Sequence, residues 1–356
     1  MSSTDQTMFA YRFNTKTQNL SREEIPIPKP RSDEVLVKVT ASGVCHSDVS
    51  ALYHPETVQL QVHTGGDTLT MGHEAAGTIT ELGSEVEEKY PELAVGTQIA
   101  MLGPNPCNED SCEMCLANKG NLCGARGWYG LSIDGAWAGY VALRASSVVP
   151  IPPNTQILPE VVAVATDAAL TTYHALKTIG NVQAGQTVVI LGCGGLGQNA
   201  VQIAKHCLGA GCVIACDLRE QSLEVAKEGG ADHTTYPNNI ENLVRRLNLS
   251  VDIVLDCVGI PSTTETAANI VKRGGRIVSV GVGAKTLQVP LVIAIGKEIQ
   301  ILPCVWGTKS ELAEVLEAIA QGKIKPQLET RPFEDCFKVL EELRDGKLKS
   351  RVVLIP

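Results

Sequence analysis

Midway along the chain an apolar run, Val188–Leu191, leads straight into Gly192-Cys193-Gly194-Gly195-Leu196-Gly197. Beyond it Ala200, Ile203, Ala204 and Cys207 recur at helical spacing and form one buried stripe. A strand, a tight turn and a helix therefore follow one another here, the context in which G-x-G-x-x-G acquires meaning. Gly192 permits the turn, Gly194 lets backbone approach a pyrophosphate, and Gly197 lets helix and strand pack closely. Gly195 and Leu196 complete the loop, and the helix start offers free N–H groups to phosphates.

The same alternation continues beyond this junction. From Thr187 the runs TVVIL, CVIACD, VDIVLDCVG and GGRIVSVGV are separated by helical patterns, which implies βαβ units and a parallel sheet covered on both faces. The second strand, Cys212–Cys216, ends in Asp217, 20 residues past Gly197. A carboxylate there bonds the adenosine ribose hydroxyls and repels a 2′-phosphate, so the expected cofactor is NAD(H). The bland alternative makes Asp217 a cap for the helix LREQSLEVAK, and Arg219 nearby is suited to a 2′-phosphate.

The first ~150 residues read differently, as short β-like runs between glycines and prolines, among them Glu34–Thr40, Thr78–Leu82 and Thr97–Met101. The chain closes with a helical segment near Glu334–Leu343 and a last strand, Arg351–Ile355. At 356 residues two domains are expected. No apolar run approaches the ~18 residues of a membrane span, and the start shows no signal-peptide pattern, so no membrane partner and a cytoplasmic location are expected. A net charge of −9 argues against nucleic acid.

Twelve cysteines are many for a reducing compartment. Four of them, Cys107, Cys112, Cys115 and Cys123, form C-x4-C-x2-C-x7-C within a polar segment. Four thiolates so close surround one zinc tetrahedrally and leave no open position, so this ion would be structural. Elsewhere Cys45 in GVCHSD and His73 in GHEAAG offer one thiolate and one imidazole. Taken alone they are better explained by packing, because a catalytic zinc needs a third ligand and an open position.

GVCHSD, GHEAAG, the four-cysteine lobe, GCGGLG and the terminal SRVV stand in the order and approximate spacing of the zinc-containing medium-chain alcohol dehydrogenases. The chain resembles that family from about residue 25 to its end. With ATDAAL and GLSIDG it is most similar to yeast-type NADH-dependent carbonyl reductases and secondary alcohol dehydrogenases. The resemblance implies an α/β architecture: a β-rich GroES-like catalytic domain over residues 1–168 and 304–356, with a zinc lobe at about 104–124, and a doubly wound Rossmann domain over 169–303. It makes Cys45, His73 and Asp167 the ligands of a catalytic zinc, with Glu74 close by and Asp48 orienting His73. The third ligand is often Cys in the family, and Asp in its place keeps the charge. An unpaired carboxylate in VVAVATDAAL would also be costly to bury.

Carried over in the same way, Ser47 takes the alcohol proton and His46 contacts the pyrophosphate. Thr171, Leu196, Val258, Val280 and Val282 line the cofactor cleft, and Arg351 reaches a phosphate. Trp128, Leu131 and Trp306 border the substrate and suit an apolar or aryl ketone. Where many relatives carry a relay His, this chain has Ser50; His54 is a conceivable substitute. The expected activity is reversible hydride transfer between NAD(H) and a small alcohol or carbonyl, with two Zn2+ per subunit in a homodimer or homotetramer. A polyol dehydrogenase and a non-catalytic NAD-binding sensor are the rival readings.

Overall fold

The computed structural model describes residues 6–54, 66–153 and 155–356. They form two compact units. The first comprises Met1–Asp167, Thr308–Ala320 and Leu328–Pro356; the second comprises Ala168–Gly307 and Gln321–Gln327.

The first unit is built on a mixed seven-stranded sheet. Its order is Leu328–Pro332, Arg351–Ile355, Glu34–Val44, Ala75–Leu82, Gln98–Met101, Val148–Pro150, with Tyr140–Arg144 also paired to Glu34–Val44. A smaller antiparallel sheet joins Asn19–Pro26, Thr7–Asn14 and Thr68–Thr70. The strand expected over Glu34–Thr40 runs on to Val44, through Ala41-Ser42-Gly43, which are weak strand formers. Neighbours on both sides override that preference: Ser42 pairs with Ala75, and Gly43 with Val353 of the terminal strand. The extension delivers Cys45 to the sheet's end. Gly43 is obligatory there, since a Cβ would stand 2.0 Å from Glu74 Oε2. The helical segment expected near Glu334–Leu343 is Cys336–Arg344, preceded by a 3-10 turn, Phe333–Asp335, and the last strand is Arg351–Ile355 as read.

The second unit contains six parallel strands, β1 (Thr187–Leu191), β2 (Cys212–Cys216), β3 (His233–Thr235), β4 (Val251–Asp256), β5 (Val271–Ser279) and β6 (Gln300–Pro303). Their order is 3-2-1-4-5-6. Central β1 is buried along its whole length, which is why it reads as an unbroken apolar run and not as alternation. Val189, Leu191, Ile214, Val254 and Ile277 make one core beneath the helices Ile240–Arg246 and Pro261–Ile270. The chain leaves β1 toward β2 and β3, then returns to β4 on the other side. That reversal opens a crevice beyond the strands' carboxyl ends, where such sheets bind ligands. Among the described residues no helix is long and apolar enough to cross a membrane.

Candidate functional site

In the first unit one ligand atom each from Cys45, His73, Glu74 and Asp167 lies within 4.8 Å of the others. Cys45 Sγ is 3.4 Å from Asp167 Oδ2, and His73 Nε2 is 3.9 Å from the same oxygen. Atoms held 2.0–2.3 Å from one centre at tetrahedral angles stand roughly 3.3–3.8 Å apart, so the first of these distances is that of a zinc site's edge and the second is slightly longer. Glu74 Oε1 lies 4.0 Å from His73 Nε2, at the margin of the group. The thiol and the two carboxyl groups gather around one guanidinium, Arg351, and with the imidazole they offer the donors that a divalent cation takes. Glu74 is fully buried; its Oε1 is ion-paired with Arg351, and its Oε2 has no hydrogen-bond partner. The donor set therefore fits zinc.

The surroundings aim these donors. Asp48, fully buried, accepts the Cys45 N–H through Oδ2 at 2.8 Å and places Oδ1 3.1 Å from His73 Nδ1. The proton on Nδ1 leaves Nε2 with its lone pair toward the cluster. Asp167 sits in a π-turn, Ala165–Ala169, that interrupts the helix starting at Pro159. Such turns are rare and recur at functional positions. Burial opposes ionisation of the Cys45 thiol, yet Arg351 and His73 outweigh both burial and the Asp167 charge, leaving it below its ordinary value. Burial, with the charges of Cys45 and Asp167, holds the Glu74 carboxyl well above its ordinary range against the pull of Arg351.

Arg351, expected to reach a phosphate, stands among the carboxyl groups of the cluster. Its Nη1 lies 3.1 Å from Glu74 Oε1 and donates to Val44 O at 3.3 Å, and its Nη2 lies 3.9 Å from Asp167 Oδ2. The pairing of the terminal strand with Glu34–Val44 carries it there and buries it. Ser47 Oγ lies 3.6 Å from Cys45 Sγ on the helix His46–Tyr53. On that helix His46 is exposed, Ser50 is half-buried, and exposed His54 forms its C-terminal cap. Leu131 is buried and Trp128 half-buried in a loop pressed onto Gly72 and His73: a Cβ on Gly130 would stand 2.3 Å from Gly72 C. Trp306 is buried in the second unit.

The four-cysteine lobe is likewise assembled. Cys107–Cys115 and Cys112–Cys123 sulfurs are 3.8 Å apart, and Cys123–Cys107 sulfurs 3.6 Å. These distances exclude disulfides, whose sulfurs are ~2.05 Å apart, and match the ~3.8 Å edge of a zinc tetrathiolate. The N–H groups of Cys107 and Asn108 point at Cys123 and Cys115 sulfurs, each at 3.4 Å. Burial pushes the Cys115 thiol up to about 12, while N–H groups of Cys107 and Ala125 overcome burial and bring Cys123 down to about 7. Leu116 and Leu122 are exposed, so the lobe has little apolar core of its own.

In the second unit the glycine loop has the expected geometry. Gly192 has φ +85°, and a Cβ on Gly197 would stand 1.9 Å from Gly192 O. Gly194, Gly195 and Leu196 are half-buried. Asp217 is not the cap of the following helix, which starts at Glu220 with Arg219 before it. Its Oδ2 accepts the Cys193 N–H at 2.7 Å and its Oδ1 the Arg219 N–H at 2.9 Å, which fixes the carboxylate beside the loop. Val258 and Val280 are half-buried and Val282 is exposed on turns after β4 and β5, while Thr171 is buried. Sequence reasoning passed over Asp256, whose signal was D-x-x-G-x-P-x-T.

A β-rich unit with a cluster of one thiol, one imidazole and carboxylates, and a second unit with a 3-2-1-4-5-6 sheet and its glycine loop, together define a metal- and dinucleotide-dependent dehydrogenase. Residues 31–153 match the alcohol dehydrogenase GroES-like domain and residues 195–321 the zinc-binding dehydrogenase domain. The chain is 33% identical over 342 residues to an alcohol dehydrogenase of Geobacillus stearothermophilus, covering 94% of this chain and 96% of that one. To an NAD-dependent alcohol dehydrogenase of Sulfurisphaera tokodaii it is 32% identical over 355 residues, covering 95% and 96%. The solved acetophenone reductase of Geotrichum candidum, in complex with NAD, superposes with a TM-score of 0.86 at 34% identity, over 100% of this chain and 99% of that one. This chain belongs to the zinc-binding alcohol dehydrogenase family. It is an NAD(H)-linked oxidoreductase, as the expected fold, cofactors and activity required.

Proposed function

We propose that the chain interconverts secondary alcohols and apolar or aryl ketones, with Cys45, His73 and Asp167 holding a catalytic zinc and Cys107, Cys112, Cys115 and Cys123 a structural one. The working domains are residues 1–168 with 304–356, and 169–303. The observation that carries the reading is the donor cluster itself, with Asp48 behind His73 and Arg351 behind the carboxylates. When bound, the zinc supplies Lewis acidity and the nicotinamide takes or gives the hydride. Ser47 removes the alcohol proton during oxidation and returns one during reduction, from its place beside Cys45. Glu74 and Arg351 hold the charge of the cluster steady. Trp128 and Leu131 exclude water and favour apolar substituents, and Trp306 is assigned the same part. His46, Thr171, the loop from Gly192 to Gly197, Asp217, Val258, Val280 and Val282 bind the dinucleotide.

The substrate class draws support from the apolar loop over Gly72 and His73 and from the likeness to the acetophenone reductase. The test is NADH oxidation over acetophenone, a 2-alkanone and fructose, with and without chelator. Turnover of the first two that the chelator abolishes is expected; preferred turnover of fructose would establish a polyol dehydrogenase instead. No turnover of any carbonyl, with NADH still bound, would favour the sensor.

The enzyme acts as a homodimer or homotetramer. Strand β6 is the free edge of its sheet, and the adjacent helix Leu291–Lys297 exposes Leu291, Val292 and Ile295. An open edge beside an apolar patch is a pairing surface for a second copy. Light scattering would decide; a monomer at micromolar concentration would refute it. None of the twelve cysteines is joined in a disulfide, in keeping with the proposed cytoplasmic location.

A further inference from the structure

At the carboxyl end of β4 stands Asp256, a carboxylate only 1% exposed. Its Oδ1 accepts the N–H groups of Val258 and Gly259, both at 2.9 Å. The hydroxyl of Thr263, on the helix Pro261–Ile270, lies 2.7 Å from Oδ2 and donates to it. The backbone carbonyl of Asp256 accepts two more N–H groups, from Val280 and Gly281, each at 3.0 Å. One residue thus gathers the turn after β4 and the turn after β5.

The two turns interlock without room for side chains. Gly259 has φ +72°, and a Cβ on it would stand 1.9 Å from Gly281 O. A Cβ on Gly281 would stand 2.3 Å from Val258 C, and Gly283 donates its N–H to Val258 O at 2.9 Å. The glycine loop meets the same point, since a Cβ on Gly192 would stand 2.5 Å from Val258 Cγ2. The turns after β1, β4 and β5 therefore converge on Val258, at the crevice where the strand order reverses. Asp217, at the end of β2, marks the adenosine side of that crevice, so the β4 and β5 turns form its nicotinamide side.

We propose that Asp256 is a positioning residue for the nicotinamide half of the cofactor: it fixes the Val258 turn against the Gly281–Gly283 turn and so sets the shape of that end of the cleft. The inference rests on the reading of this unit as the NAD(H) site. Removing the carboxylate leaves the N–H groups of Val258 and Gly259 without their acceptor, while the Thr263 hydroxyl keeps Ile260 O, and the turn rearranges to find another. The adenosine half is held by Asp217 and the N–H groups of the glycine loop, and the change reaches that loop only through the approach of Val258 Cγ2 to Gly192.

The experiment compares dissociation constants for NADH, by its fluorescence, and for ADP-ribose, by calorimetry. Asp256→Ala is expected to weaken NADH by about tenfold or more and ADP-ribose by less than about twofold. Asp256→Asn is expected to restore NADH binding to within about threefold of wild type: its amide oxygen still accepts both N–H groups, while its NH2 faces a Thr263 hydroxyl free to turn toward Ile260 O, now 2.8 Å away. Thr263→Val, which leaves the two N–H bonds in place, serves if Asp256→Ala does not fold; it should weaken NADH by roughly threefold and ADP-ribose not at all. Equal weakening of both ligands, or of neither, in the variant measured would overturn the proposal. A wild-type protein that binds neither ligand would instead overturn the cofactor reading on which it rests.

Discussion

Asp48 offers the sharpest test of how the metal cluster is aimed. Its two oxygens do different things: Oδ2 accepts the Cys45 N–H at 2.8 Å, and Oδ1 faces His73 Nδ1 at 3.1 Å. Asp48→Asn keeps the shape and lets the amide oxygen go on serving Cys45. The amide NH2 then faces Nδ1, which must accept, and the ring proton moves to Nε2. A protonated Nε2 cannot bind metal. Partners of this kind are worth about 10–100-fold in metal affinity, or roughly 1.4–2.7 kcal/mol. Asp48→Ala should lose the same affinity and, with the Cys45 N–H unserved, about 1 kcal/mol of fold stability besides. The assay is zinc stoichiometry by elemental analysis with chelator competition, alongside thermal unfolding. Asp48→Asn is expected to keep about one zinc per chain, in the cysteine lobe, and to lose turnover with the other. Wild-type affinity at both sites in Asp48→Asn would refute the argument that Asp48 sets the His73 tautomer.

Other expectations follow from the same structure. Cys112→Ala breaks the tetrathiolate in a lobe with little core, so melting temperature should fall and one zinc be lost while the Cys45 site stays loaded, as elemental analysis would register. Asp217→Ala frees Arg219, whose Nε now lies 3.4 Å from the carboxylate, and should move the ratio of kcat/KM for NADH over NADPH toward NADPH by about tenfold or more; an unchanged ratio would remove Asp217 from the ribose site. Ser47→Ala should cost roughly 100-fold in alcohol oxidation and Ser50→Ala under about tenfold, measured as kcat over a pH series, because no imidazole stands at position 50 to relay the proton. Asp232 is paired with Lys205 at 2.7 Å and accepts the Val213 N–H at 2.7 Å; these outweigh burial and lower its pKa. A depressed carboxylate stabilises the fold above its unfolded pKa and loses that contribution as pH falls through the folded one. The stability deficit of Asp232→Ala in urea unfolding should therefore be full at neutral pH and shrink in acid.

What could be read from the chain depended on how locally each feature is encoded. The cysteine lobe lies within 17 residues and the glycine loop within six, so spacing and flanking pattern were enough. Cys45, His73 and Asp167 are scattered over more than a hundred positions, and only the family template linked them. Their proximity comes from strand Glu34–Val44 outrunning its own propensity and from a π-turn at Ala165–Ala169, neither of which has a simple residue signature. Arg351 shows the limit most plainly. From sequence it was expected near a phosphate, and nothing there indicated that the register Val353↔Gly43 also lays it against Glu74 and Asp167. A long-range strand pairing decides that, and no local pattern encodes it. Asp256 is the opposite case, since its partners at positions 258, 259 and 263 are all local. It was passed over because a carboxylate at a strand's end looks like an ordinary turn until the glycines of another turn are found locked into it. Local pattern thus located the loops that hold ions and phosphates, while their aim is set by contacts between elements far apart in sequence.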